Sequence, residues 1–188
     1  MVGLETGDPR SFGSYDELYA AFMKQVRYFV DMKVRVSNYI DRMFAKYAPA
    51  TFLSLFIDDC IAKGRDYYNC GPRYNTTYIQ CTGLGTITDS LATLKKHIFE
   101  DKRWSMDELL KAMADNFEGA EAMRQTILNR TPFFGNDDEY ADSIAVKVFD
   151  DLYDNDRRKA EYERRMFPSE YAVYHLSRIF WQGDGGDS

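Results

Sequence analysis

The segment Tyr68–Leu91 constrains the fold of this chain more than any other. Tyr74–Cys81 is β-branched, aromatic and uncharged, the composition of a buried strand. Gly83 and Gly85 then permit a tight turn, and Thr86 with Asp89 is placed to cap a helix running through Phe99. Helical patterns lie on both sides. A single strand exposes two rows of backbone hydrogen-bonding groups, so it needs neighbours that the rest of this sequence does not obviously supply. Arg73, Asn75, Tyr78 and Gln80 add polar groups that a buried strand must pair, which implies a scaffold packed around them. The expected fold class is mostly α with one or two strands.

The flanks are helical by period. Leu18, Phe22, Val26, Phe29, Val30, Ile40 and Phe44 recur at helix spacing, predicting a long helix from a Ser14–Glu17 capping box to about Lys46. Pro49 interrupts it. Thr51 to Lys63 predicts a second, mostly apolar and deeply buried helix ended by Gly64. Ser105 and Glu108 repeat the capping-box signal for a helix to Phe117, and Glu121–Asn129 and Asp138–Leu152 read as two more around the Thr131-Pro132 turn. After Asp154 the character changes to a dense charge run and a glycine- and aspartate-rich end.

Composition narrows the function classes. A chain of 188 residues with 45% hydrophobic and 15% aromatic residues can bury one core, which excludes disorder throughout. The net charge of −6 gives no electrostatic footprint for nucleic acid or for an anionic membrane surface. Met1–Pro9 has no signal-peptide pattern, and the longest apolar stretch, Tyr47–Ile57, is too short to span a bilayer. Three widely spaced cysteines, Cys60, Cys70 and Cys81, suit free thiols in a reducing, cytoplasmic setting.

No residue qualifies as catalytic, cofactor-binding or metal-ligating on its own pattern. His97 and His175 lack partners at ligand spacing, and zinc needs three or four convergent ligands. Asp58-Asp59 and Asp150-Asp151 are adjacent acids, which on a helix diverge by about 100° and read as solvated faces. The Gly83-Leu84-Gly85 turn could offer amides to a phosphate, but it has neither the third glycine of a dinucleotide loop nor a P-loop lysine. The cysteines have no histidine nearby in sequence and read as buried, inert thiols.

Three stretches resemble the glycyl radical enzymes: Gly3-Leu4-Glu5-Thr6-Gly7-Asp8-Pro9-Arg10, Ala48-Pro49 through Asp58-Asp59-Cys60, and Tyr74-Asn75-Thr76-Thr77 through Thr88-Asp89-Ser90-Leu91. The dehydratase branch is the most similar, above all the dehydratases of trans-4-hydroxy-L-proline. The resemblance covers about Val2 to Asp154, and the strand–turn–helix block is its most specific part. It implies a partial segment of an α/β barrel, the pyruvate formate-lyase-like domain, from an anaerobic lyase that cleaves a C–O bond by radical hydrogen abstraction. In such enzymes a cysteine loop before this segment forms a thiyl radical. A later Arg-Val-x-Gly-Tyr loop stores the radical on glycine, where a radical S-adenosylmethionine activase installs it. Neither loop occurs here. Arg35-Val36-Ser37-Asn38-Tyr39 imitates the second, with Asn38 where glycine is required.

These points imply a fragment that binds no cofactor itself, is inactive alone, and has as its partners the remaining parts of a glycyl radical enzyme. Separate chains supplying the two missing loops would complete it. The competing expectation is a self-standing helical interaction or regulatory protein derived from such an enzyme. Residues 155–188 are expected to be unrelated and out of frame. One allowed codon choice for Tyr174–Ser188, read one nucleotide later, gives Thr-Thr-Cys-His-Val-Tyr-Phe-Gly-Lys-Val-Thr-Gly-Ala-Thr, the wording the family shows shortly after this point.

Overall fold

The structure, a computed structural model, describes residues 3–74 and 82–166, with residues 154–166 described by backbone alone. The described residues are mostly helical and contain no strand. The helices are α1 (Tyr15–Tyr47), α2 (Thr51–Ser54), α3 (Cys60–Lys63), α4 (Leu84–Leu94), α5 (Met106–Ala114), α6 (Glu121–Arg130) and α7 (Glu139–Met166). Short 3-10 turns occur at Pro9–Ser11 and Tyr67–Asn69, and α4 continues into a π-helical turn at Lys95–Glu100. The expected strand lies outside the described residues except for Tyr74, which sits in a bend and is 85% exposed. Asn75, Tyr78, Gln80, Cys81 and His175 also lie outside them.

Two compact units divide the chain. The first comprises Met1–Tyr28 and Cys81–Leu152, the second Phe29–Gln80 and Tyr153–Ser188. In the first, Leu18, Tyr19 and Met23 of α1 form one buried cluster with Leu91 and Ala92 of α4, Met106 at the start of α5, and Ile144 and Val148 of α7. Tyr19 with Met23, and Ile144 with Val148, are i, i+4 pairs, the spacing that puts apolar side chains on one helix face. Each fully buried aliphatic side chain contributes about 1.5–3 kcal/mol of transfer free energy. Polar groups at the edge of this core are satisfied: Tyr19 donates to Asp151 (2.7 Å) and Tyr140 to Glu100 (2.9 Å).

The second unit holds the rest of α1, where Val34 is buried against Val30. Its loops are tied by side chains: the Ser54 hydroxyl donates to Asp66 (2.8 Å), and the Tyr67 amide donates to Ser54 (2.8 Å). Phe44 of α1 stacks on Tyr68 with ring centroids 5.1 Å apart.

Three sequence expectations are corrected. The single buried helix over Thr51–Lys63 is instead two short helices, because Asp59 takes a left-handed φ of 74° and breaks the ladder. Its apolar side chains are largely exposed, with Phe52 at 74%, Phe56 at 70% and Ile61 at 70%. Thr86 and Asp89 do not cap α4: Gly83, at φ 83°, turns the chain early enough for the helix to start at Leu84. The helix after Ser105 ends at Ala114 rather than Phe117, where Asn116 and Phe117 both have positive φ. The Ser105 capping signal holds in full and the Ser14 signal in part. Ser105 and Glu108 make a complete box, while the Glu17 amide donates to Ser14 (3.3 Å) and the Glu17 carboxylate accepts from the Gly13 amide (2.8 Å). The change of character expected at Asp154 falls inside α7, which is continuous to Met166.

Candidate functional site

The most unusual local arrangement surrounds His97. After Leu94 the helix widens: the amide of Asp101 reaches back five residues to the Lys96 carbonyl (2.8 Å), and that of Arg103 reaches six to His97 (2.9 Å). Such widened turns re-aim side chains relative to a regular helix and recur at functional positions. Here the turn carries His97 inward, to 1% exposure.

His97 Nε2 lies 3.0 Å from the hydroxyl of Thr131, itself buried just beyond α6, and the Trp104 ring lies 5.5 Å away. Nδ1 has no hydrogen-bond partner among the described residues. A buried lone pair left unpaired costs less than a buried N–H left unpaired, which favours the tautomer that donates from Nε2 to Thr131. Burial, reinforced by the nearby Arg103 and Lys96 against the opposing Asp101, pushes the imidazole below its ordinary value of 6.5. The ring is therefore neutral near pH 7, an orienting hydrogen-bond group rather than a charge. Among the described residues, no three histidine, cysteine, aspartate or glutamate side chains converge to hold a metal ion.

The remaining sequence candidates each have local partners of their own. Asp59 pairs with Arg73 (2.9 Å) and Lys63 (3.6 Å), and those cations hold its carboxyl below the usual range. Asp151 accepts from Tyr19 and Lys147, so each acid with a defined partner answers to cations and hydroxyls of its own unit. The Gly83-Leu84-Gly85 turn packs: a Cβ at Gly85 would stand 3.4 Å from the Phe134 ring, and Asp89 accepts the Phe134 amide (2.8 Å). Cys60 is buried at 2% and Cys70 is half-buried, and neither is in a disulfide. Arg35–Tyr39 lies in the middle of α1, a regular helix rather than a loop. The π turn itself escaped sequence reasoning, since nothing in Lys95–Glu100 announces a wider helix.

One contact is tighter than any sequence pattern suggests. A Cβ on Gly71 would stand 2.7 Å from Cys60 Sγ and 2.8 Å from the Asp66 carbonyl, and would also meet the Arg65 carbonyl. Only glycine fits there, and the loop from Cys60 to Gly71 closes on itself because of it.

Comparison with known proteins places these features. The family model described as pyruvate formate lyase-like matches residues 1–175, a span that runs past Asp154. The trans-4-hydroxy-L-proline dehydratase of Clostridioides difficile is 46% identical over 179 residues, covering 93% of this chain and 23% of that protein. The (2S)-3-sulfopropanediol dehydratase of Klebsiella oxytoca is 34% identical over 151 residues, covering 80% of this chain and 18% of its own length. Among solved structures, the Clostridioides difficile hydroxyproline dehydratase with bound trans-4-hydroxy-L-proline matches with a TM-score of 0.78 and 50% identity, over 81% of this chain and 19% of that one. The B12-independent glycerol dehydratase of Clostridium butyricum matches with a TM-score of 0.76 and 32% identity, over 83% and 20%. The chain thus spans about a fifth of the length of the relatives it matches.

Proposed function

The chain belongs to the pyruvate formate lyase-like family of glycyl radical enzymes, and from that premise we propose that it is one segment of a dehydratase acting on trans-4-hydroxy-L-proline. The observation that carries this reading is the 46% identity maintained across 93% of the chain while only 23% of the relative is spanned. A segment so similar over so much of its length has the same place in a body of the same kind. In that reading the helices of the first unit, with the neutral His97 among them, are part of that larger body.

The parent activity is radical cleavage of a C–O bond, with the radical carried by the protein and installed by a separate activase. This chain holds neither of the two radical-bearing loops. Its one near match, Arg35–Tyr39, has Asn38 in place of the glycine and is helical. The isolated chain is therefore inert, and its partners are the remaining parts of such an enzyme. A second reading, a self-standing helical module, draws on the separate buried cluster of the first unit. It predicts a monodisperse chain that melts cooperatively in isolation.

A hybrid enzyme tests the proposal. Residues 3–152 of this chain replace the matching residues of the Clostridioides difficile dehydratase, and the product is activated without oxygen by that enzyme's activase. The expected result is an organic radical signal by electron paramagnetic resonance together with dehydration of trans-4-hydroxy-L-proline. A folded hybrid that gains the radical in full yield yet leaves hydroxyproline untouched refutes the assignment. Turnover by the isolated chain after the same treatment refutes its inertness.

A further inference from the structure

The second unit carries an apolar face that its own described residues leave bare. On α1, Met32, Val36, Tyr39, Ile40, Met43 and Tyr47 are each between 40% and 65% exposed. At about 100° per residue these positions fall within roughly 100° of arc, and at 1.5 Å per residue they form a stripe about 22 Å long. Arg35, Arg42 and Lys46 flank one edge of the stripe, while Val30 and Val34, on the opposite side of the helix, make a separate, packed contact. A helix apolar on two sides is one built to be enclosed. Phe52, Leu55, Phe56 and Ile61 of the same unit are 60–74% exposed, a density of large apolar side chains that soluble surfaces rarely tolerate without a partner.

We propose that this α1 stripe, with Phe52 and Phe56, is the surface onto which the remaining four-fifths of a hydroxyproline dehydratase-like body docks. The proposal rests on the functional reading above and adds to it the location of the joint. Two observations choose this occupant over others. The solved relative keeps a similar backbone over 81% of this chain at 50% identity, and there that backbone is packed within a protein of which it is 19%. The bare apolar side chains also concentrate in the second unit, whereas the first unit closes its own core. The docked surface is accordingly apolar and shaped to a helix face.

The test compares one pair of substitutions in two settings. Ile40→Glu with Met43→Glu, placed in the isolated full chain, changes only exposed positions, so its helical circular dichroism stays as in the parent chain. The same pair in the active hybrid buries two carboxylates, and soluble yield or activity falls by about tenfold or more. Arg35→Glu, about 90° round the helix from the centre of the stripe, leaves the hybrid close to unchanged. A hybrid that tolerates Ile40→Glu with Met43→Glu overturns the docking surface while leaving the functional reading intact. An unsubstituted hybrid that folds but is inactive strikes the functional reading instead. Loss of helicity in the isolated chain, or a change of that chain from dimer to monomer with no effect in the hybrid, overturns the proposal by making the stripe an internal contact or a self-association face.

Discussion

At the residue scale, His97 and Gly71 are the positions where small changes have the largest consequences. The His97 imidazole folds in its neutral form, with its pKa held below the ordinary 6.5. Below pH 6.5 the unfolded chain therefore takes up a proton that the folded chain refuses. This contribution weakens the fold as pH falls through 6.5 towards the lowered folded value, and it is flat above that range. Urea midpoints measured between pH 8 and 5.5 show this decline in the parent chain, and His97→Gln flattens it. Thr131→Val removes the hydroxyl partner of a buried ring and costs about 1–3 kcal/mol, whereas Thr131→Ser restores most of it. Gly71→Ala drives a Cβ into two carbonyls and the Cys60 sulfur, none of which can retreat without moving the loop. It destabilises by about 2 kcal/mol or more. Gly64→Ala, at φ 60° with open space around it, loses about 1 kcal/mol. Equal losses for the two glycine variants in chemical unfolding contradict the packing argument.

At the element scale, the helices with local start signals were legible and those shaped by neighbours were not. Ser14–Glu17 and Ser105–Glu108 satisfy first-turn amides within one stretch of chain, so their sequence pattern suffices. Ser105→Ala removes one half of the second box and lowers stability by about 1 kcal/mol, read from the urea midpoint, with the spectrum of the folded state unchanged. The Thr51–Lys63 helix failed as a reading because its apolar pattern fits any buried surface, and its continuity depends on Asp59, whose left-handed turn is held by Arg73 and Lys63. The π turn was invisible for a similar reason. A widened turn reflects where His97 and Asp101 must point to meet Thr131 and the next loop, and those partners lie far along the chain.

For the whole molecule, the two units differ in how much of their apolar surface is enclosed. Amides of α4 and of the buried stretches of α1 and α7 in the first unit exchange hydrogen slowly, because opening them exposes the Leu18–Val148 cluster. Amides of α2 and α3 exchange orders of magnitude faster, since each has one turn and bare side chains above it. Hydrogen exchange followed by mass spectrometry distinguishes this from a chain in which both units are protected alike. The same bare surface binds an apolar dye in the isolated chain and loses that binding in the hybrid. No helix among the described residues is long and apolar enough to cross a membrane.

The sequence by itself determined which stretches are helical where caps and period agree, and it carried the family through the Gly3–Arg10 and Tyr74–Leu91 wording, because both depend on residues close together in the chain. It also placed an asparagine, Asn38, where a radical loop at Arg35–Tyr39 would need glycine. Only the tertiary structure decided that His97 is buried and neutral, that Asp59 breaks a helix, that Gly71 is sterically fixed, and that half of α1 is bare. Each of those facts is set by contacts between residues distant in sequence, or by the lack of such contacts, and burial is a property of the surroundings rather than of the residue buried.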